Sequence, residues 1–157
     1  LISLYPTTEI EFKFLPSETF CLNEIKKIAT NVDEIKQAYL AKSDGFASRI
    51  RLLNNTQAFS TTKFGKNIEI EFETPFPQSF AIYNAIKSSG TGFVEKTRYT
   101  IPFDDLKIEV DVFEGRHLGL VYIEIEVPYE CYKLEGLPHW MQSQQSDLKS
   151  NATLSFE

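Results

Sequence analysis

The sequence lacks most of what a secreted, membrane-embedded or nucleic-acid-coating protein needs. It has two cysteines, Cys21 and Cys131. They lie far apart, in neither a metal-knuckle nor a redox spacing, so reduced thiols in a cytoplasmic setting are expected. Its two histidines are unclustered. His117 reads as a turn residue between Gly115 and Gly119, and His139 follows a proline in a loop, so neither suggests a metal site. No apolar run approaches the ~20 residues of a membrane span, and none is followed by a cleavage-site pattern. Positive charge is also short: 16 Lys and Arg against 22 Asp and Glu leave a net charge of −6. A sequence-blind nucleic-acid binder needs the opposite balance. Gly90-Thr91-Gly92 lacks the Lys-Ser/Thr that would make it a Walker loop. Neither a Gly-x-Ser-x-Gly elbow nor a His-Glu-x-x-His helix occurs.

What is present fits one domain over 1–157, with 42% apolar and 24% charged residues, near the globular average. Gly and Pro bound short stretches in which apolar and charged residues alternate, the period of a strand. These are Glu9–Phe14, Arg49–Leu52, Ala58–Phe64, Ile68–Glu73, Val94–Ile101, Ile108–Val112 and Val121–Val127. Helical spacing predicts one helix over Glu18–Ala29, with Ser17 as N-cap and Phe20, Cys21, Ile25 and Ile28 on its inner side. A second is expected over Gln78–Lys87, with Phe80, Tyr83 and Ile86 inward, and a short third over Asp33–Tyr39. From Gln142 onward a loosely held tail is expected, with Trp140 as its anchor. Without regular strand–helix alternation a doubly wound parallel sheet is disfavoured, and an antiparallel α+β domain is expected.

Residues two apart on a strand share a face. One face therefore collects Glu9, Glu11, Lys13, Arg49, Arg51, Lys63, Glu69, Glu71, Glu73, Lys96, Arg98, Glu109, Asp111, Glu124 and Glu126. A wet outer face is the ordinary explanation for such alternation. These positions are almost all ionic, however, and they are grouped by sign. Like charges roughly 6–7 Å apart on a strand repel, which gains nothing for the fold unless each group meets a ligand of opposite sign. Arginine pairs suit phosphate oxygens, and carboxylate clusters suit Mg2+ or Mn2+. Should the sheet close on this face, its interior must hold water, ions and ligand, because isolated buried charges are costly.

Taken in order, these segments resemble the CYTH, or triphosphate tunnel metalloenzyme, superfamily. The resemblance rests on Glu9-Ile10-Glu11-Phe12-Lys13-Phe14-Leu15, Ile35-Lys36-Gln37-Ala38-Tyr39-Leu40, Arg49-Ile50-Arg51, Lys63-Phe64-Gly65 and Glu69-Ile70-Glu71. It continues through Val94-Glu95-Lys96-Thr97-Arg98-Tyr99, Glu109 to Gly115 and Glu124-Ile125-Glu126, covering about residues 9–128. It implies an eight-stranded antiparallel tunnel, with helices outside, that takes a small-molecule triphosphate and divalent cations, Mg2+ or Mn2+. Carried over, Lys13, Arg49, Arg51, Lys63, Lys96 and Arg98 grip phosphate, while Glu9, Glu11, Asp111, Glu124 and Glu126 face metal. Glu69 and Glu71 match tunnel acids that touch metal or orient bases, and Glu73 sits nearer the rim. Tyr39 matches a proton-accepting tyrosine, or it packs over the mouth. The ending, Leu137-Pro138-His139-Trp140-Met141 and Ser150-Asn151-Ala152-Thr153-Leu154, only loosely echoes the family's plug.

The expected activity is hydrolysis of inorganic triphosphate by a monomer or homodimer, closest to the bacterial inorganic triphosphatase branch. Within the family the alternatives are an adenylyl cyclase and a thiamine triphosphatase. From other classes come a non-catalytic polyphosphate or nucleotide binder and a structural protein with a solvated charged sheet.

Overall fold

Alternating side chains build one antiparallel sheet of ten strands in the computed structural model, which describes residues 7–66 and 68–157. Residues 1–6 and 67 of the expected domain lie outside the described residues. The strands are β1 (Thr7–Glu9), β2 (Glu11–Pro16), β3 (Asn31–Ser43), β4 (Phe46–Leu53), β5 (Gln57–Phe64), β6 (Glu69–Pro75), β7 (Phe93–Phe103), β8 (Leu106–Glu114), β9 (Val121–Glu126) and β10 (Met141–Gln145). They pair in the order β1-β6-β5-β4-β3-β7-β8-β9-β2-β10. The helices are α1 (Leu22–Ile28), α2 (Ser79–Ser89) and α3 (Asn151–Ser155). Among the described residues no helix is long and apolar enough to cross a membrane.

The strand count differs from the expected eight. The first alternating stretch divides at Ile10: β1 pairs with β6, and β2 pairs with β9. The tail supplies β10, which pairs with β2. Among the described residues no ladder joins the two ends of the order, β1 and β10.

Three local expectations are corrected. The residues Asp33–Tyr39 form part of β3, not a helix. Ile35, Ala38 and Tyr39 suit helical spacing, but Ile35, Gln37 and Tyr39 equally suit period 2. Pairing with both β4 and β7 supplies the ladder bonds that decide the matter, a tertiary override of local preference. Helix α1 begins later than expected, with Cys21 at its N-cap. The Ser17 hydroxyl instead donates to the His139 carbonyl at 2.7 Å. Ile25 is buried, whereas Cys21 is exposed and Ile28 is 48% exposed. The tail is not loose throughout, since β10 and α3 fold from it. Trp140 is buried and meets Phe20 edge-on at 6.3 Å.

The outer faces of the strands are covered in two places. Helix α1 and the segment through Trp140 cover Phe14, Tyr99, Ile108, Val110, Ile123 and Ile125. Helix α2 covers Ala38, Ile50, Leu52 and Phe93 through Tyr83, Phe80 and Ile86. It ends at Gly90, whose φ of +87° suits glycine at a helix C-terminus. A third cluster lies on the ionic side. Leu15, Val94, Phe113 and Tyr122 fall two residues from Lys13, Lys96, Asp111 and Glu124, so alternation puts them on the charged face. They pack with Leu148 and Leu154 of the tail, so that face ends in a dry cap at one end.

Gly65 ends β5 with φ +106°, and a Cβ there would lie 2.2 Å from the Ile68 carbonyl oxygen. This position therefore has no room for a side chain.

Candidate active site

Strand register decides which charges meet. Across β3 and β4, Gln37 stands opposite Arg51 and Tyr39 opposite Arg49. Lys63 faces Glu71 across β5 and β6, and Glu9 faces Glu69 across β1 and β6. On the other side of the sheet order, Arg98 faces Asp111, Glu109 faces Glu124, Glu124 also faces Lys13, and Glu126 faces Glu11. Sites far apart in the chain thus converge on one cavity of about 680 Å³.

All six expected phosphate-gripping bases, Lys13, Arg49, Arg51, Lys63, Lys96 and Arg98, line this cavity. So do Tyr39, Glu9, Glu11, Glu69, Glu71, Glu124 and Glu126. Asp111 does not: it lies on the same charged face but is fully buried among the bases. Its carboxylate accepts from Lys96 Nζ at 2.6 Å and from Arg98 Nε and Nη2 at 2.8 and 2.9 Å. With both oxygens taken, Asp111 is arranged to orient two bases. Glu73 also lies off the cavity, exposed, accepting from the Thr61 hydroxyl at 2.9 Å.

The other bases have partners of graded strength. Arg49 Nη2 is 3.6 Å from Glu71, and Lys63 Nζ is 3.1 Å from Glu9 and 4.0 Å from Glu69. Arg98 Nη1 reaches Glu109 at 3.0 Å. Arg51 forms no ion pair among the described residues; its Nε donates to Gln37 Oε1 at 2.7 Å. Arg49 Nε is buried without a hydrogen-bond partner among the described residues, a donor available to a ligand.

The crowding shows in the proton affinities. Burial pushes the Glu124 carboxyl up to about 7, helped by Glu11 and Asp111. Burial also raises Glu9, Glu109 and Glu126. It lowers Lys96 to about 8 against the pull of Asp111. It lowers Arg51 as well, with the charges of Arg49 and Arg98 adding to the effect. At Asp111 burial would raise the pKa, but Lys96 and Arg98 outweigh it and hold the carboxyl well below its ordinary value. Glu9, Glu109, Glu124, Glu126, Arg51 and Lys96 are thus each disfavoured in their charged forms, a cost that an ion of opposite sign would ease.

Oxygen-only donors suit hard divalent cations. Among the described residues no three Asp, Glu, His or Cys side chains converge into a ready cage. The donor set therefore fits a cation shared between one or two carboxylates and the oxygens of a bound phosphate compound, the usual habit of Mg2+. Glu9, Glu11, Glu124 and Glu126, the expected metal-side acids, are among the carboxylates that line the cavity, together with Glu69, Glu71, Glu109 and Glu130.

Sequence reasoning gave no role to Gln37, Lys42, Lys66 or Asn151. Lys42, Lys66 and Asn151 line the cavity, and the Asn151 side-chain oxygen accepts from Lys96 Nζ at 3.1 Å. Gln37 is fully buried between Arg51 and Tyr39. Period 2 places it with Tyr39, but an uncharged amide carried no signal. His117 and His139 bond to Leu154 and Thr19.

Known proteins share this sequence and architecture. An inorganic triphosphatase of Acetivibrio thermocellus is 31% identical over 126 residues, covering 78% of this chain and 76% of that protein. A crystal structure of an inorganic triphosphatase is 27% identical with a TM-score of 0.61, covering 96% of each chain. A Hippeastrum protein named as an adenylyl cyclase, with a dominant triphosphatase activity, shares the fold at 16% identity. Its TM-score is 0.50, with 78% of this chain and 80% of that one covered. The CYTH domain matches residues 7–137, a span that holds every charged wall residue named above, and the chain belongs to the CYTH family.

Proposed function

We propose that this chain hydrolyses inorganic triphosphate to diphosphate and phosphate, with Mg2+ or Mn2+, within a charge-lined tunnel. The observation that carries the reading is the convergence of Lys13, Arg49, Arg51, Lys63, Lys96 and Arg98 on one cavity that is also lined by carboxylates. The triphosphatase relatives support it.

In this reading β1 and β2 act as one strand interrupted at Ile10, which pairs with β6 on one side and β9 on the other. Eight strands then surround the cavity, with the tail closing one end, and residues 1–157 act as one domain, monomeric or homodimeric, in the cytoplasm. Arg49, Arg51, Arg98 and the lysines hold the phosphoryl oxygens and spread the charge that develops as water attacks the terminal phosphorus and its bridging P–O bond breaks. Asp111, Glu71 and Glu69 orient those bases. Glu9, Glu11, Glu124 and Glu126 would hold the cation, which supplies charge neutralisation and a more acidic water. Tyr39, 6% exposed on the cavity wall, stands where it can accept or donate a proton at substrate oxygen.

The test is phosphate release from triphosphate, ATP and thiamine triphosphate, with and without Mg2+ or Mn2+. Cation-dependent release from triphosphate, abolished in Glu9→Gln/Glu11→Gln, is expected. Wild-type turnover in that double variant sinks the reading. Cyclic AMP as the product of ATP would assign the cyclase reaction instead. Tight binding without turnover would make the protein a binder.

A further inference from the structure

Arg51 is the arginine of the cavity wall that no carboxylate holds among the described residues. Arg49 leans on Glu71, and Arg98 on Asp111 and Glu109. Arg51 is anchored instead by an amide: its Nε donates to Gln37 Oε1 at 2.7 Å. Gln37 is fully buried on β3, directly across the ladder from Arg51. The cavity lining includes Arg51 and Tyr39, with Gln37 behind them.

The orientation of the amide follows from donor and acceptor inventory. A guanidinium has no acceptor, so the group facing Arg51 must be the Gln37 carbonyl. Its NH2 then faces Tyr39, and Nε2 lies 3.2 Å from the phenol oxygen. That oxygen accepts from Gln37, so the Tyr39 proton is turned away from the amide. One neutral side chain thus sets the heading of a guanidinium and, with Arg49 opposite Tyr39 on the ladder, the direction of a phenol proton.

We infer that Gln37 is a positioning residue which fixes Arg51 and Tyr39 for a phosphate ligand while leaving the Arg51 charge unspent. A carboxylate in its place would hold Arg51 more tightly and neutralise it, and would draw the Tyr39 proton to itself. An amide orients without competing with phosphate for the charge. This rests on the triphosphate reading above, and it adds a role that neither charge nor cavity lining reveals.

The test is a pair of substitutions read in both affinity and turnover. Gln37→Glu keeps the side-chain shape and the Arg51 contact. Its melting temperature is expected to stay at or above that of the wild type, while KM and the calorimetric Kd for triphosphate rise about tenfold or more, as befits loss of a charge-assisted contact. Gln37→Met keeps length and removes both hydrogen bonds. Its kcat/KM is expected to fall about tenfold to a hundredfold, and by more than the loss of folded protein accounts for. A Gln37→Glu protein with wild-type KM and Kd overturns the inference, as does Gln37→Met with unchanged kcat and KM. Should the wild type bind triphosphate without hydrolysing it, the hydrolytic reading fails alone, and the two variants decide the role of Gln37 by their Kd values. Should the wild type not bind triphosphate at all, both readings fall.

Discussion

Arg98 and Asp111 stand opposite each other across the β7–β8 ladder, joined by two parallel hydrogen bonds of 2.8 and 2.9 Å. Lys96 adds a third contact to the same carboxylate at 2.6 Å. One fully buried acid therefore holds two of the cavity's bases. A bidentate pair is rigid, so the wall is set before a ligand arrives.

Asp111→Asn should damage the fold before it damages chemistry. It removes the carboxylate that Lys96 contacts and leaves Arg98 with Glu109 alone, and breaking a buried pair costs about 3–5 kcal/mol in comparable settings. The expected result is a clear drop in the chemical-denaturation midpoint. The acid side of the wild-type profile has the same origin. The Asp111 pKa is depressed in the fold, so its contribution is present above the ordinary carboxylate pKa and is lost as pH falls through the folded value. The acid limb should therefore shrink in Asp111→Asn. A variant that matches wild-type stability at neutral pH contradicts the arrangement.

Glu124→Gln should have the opposite effect on stability. The Glu124 pKa rises to about 7 on folding, so the folded state binds a proton more readily than the unfolded chain. Its contribution is full below the ordinary carboxylate pKa and is lost as pH rises through about 7. Without cation, Glu124→Gln is expected to melt higher than the wild type at pH 8 and to converge with it toward pH 4.5. Phosphate release should fall in the same variant, a separation of stability from activity expected at functional sites. Equal melting temperatures at pH 8 count against this placement.

Triphosphate with Mg2+ should stabilise the protein. A ligand at 100 times its Kd contributes about 2.7 kcal/mol by mass action, or roughly 5–10 °C in a domain of this size. Arg49→Met should reduce that rise, because it removes a guanidinium from the wall. The rise should also shrink with added salt, as the contacts are ionic. A melting temperature indifferent to triphosphate would leave the wall without its ligand.

Leu154→Ala tests the dry cap. Leu154 is 6% exposed and packs with Val94, Phe113 and Tyr122 on the inner face. Truncation should cost about 2–5 kcal/mol. It should also speed exchange of the amides in β7 and β8 near Val94 and Phe113, since the cap excludes water there. Wild-type stability in this variant would show that the tail is not packed where its burial implies.

The alternation of charge with apolar side chains, read along the chain, determined most of the strands and which residues share a face, because side-chain direction on a strand is set by local geometry. That is why Arg49, Arg51, Lys96 and Arg98 could be grouped in advance. Local pattern fails where two periods coincide, as at Ile35–Tyr39, where pairing with β4 and β7 overrode helical spacing. It also fails where uncharged groups matter, as at Gln37, and where a polar tail folds only against the rest, as with β10 and α3. Only the tertiary structure decided that Asp111 is buried against Lys96 and Arg98, that Arg51 rests on an amide, and that Leu154 packs beside Val94 and Phe113. Each depends on register between strands distant in sequence, which is fixed by backbone hydrogen bonds and packing that no single stretch contains.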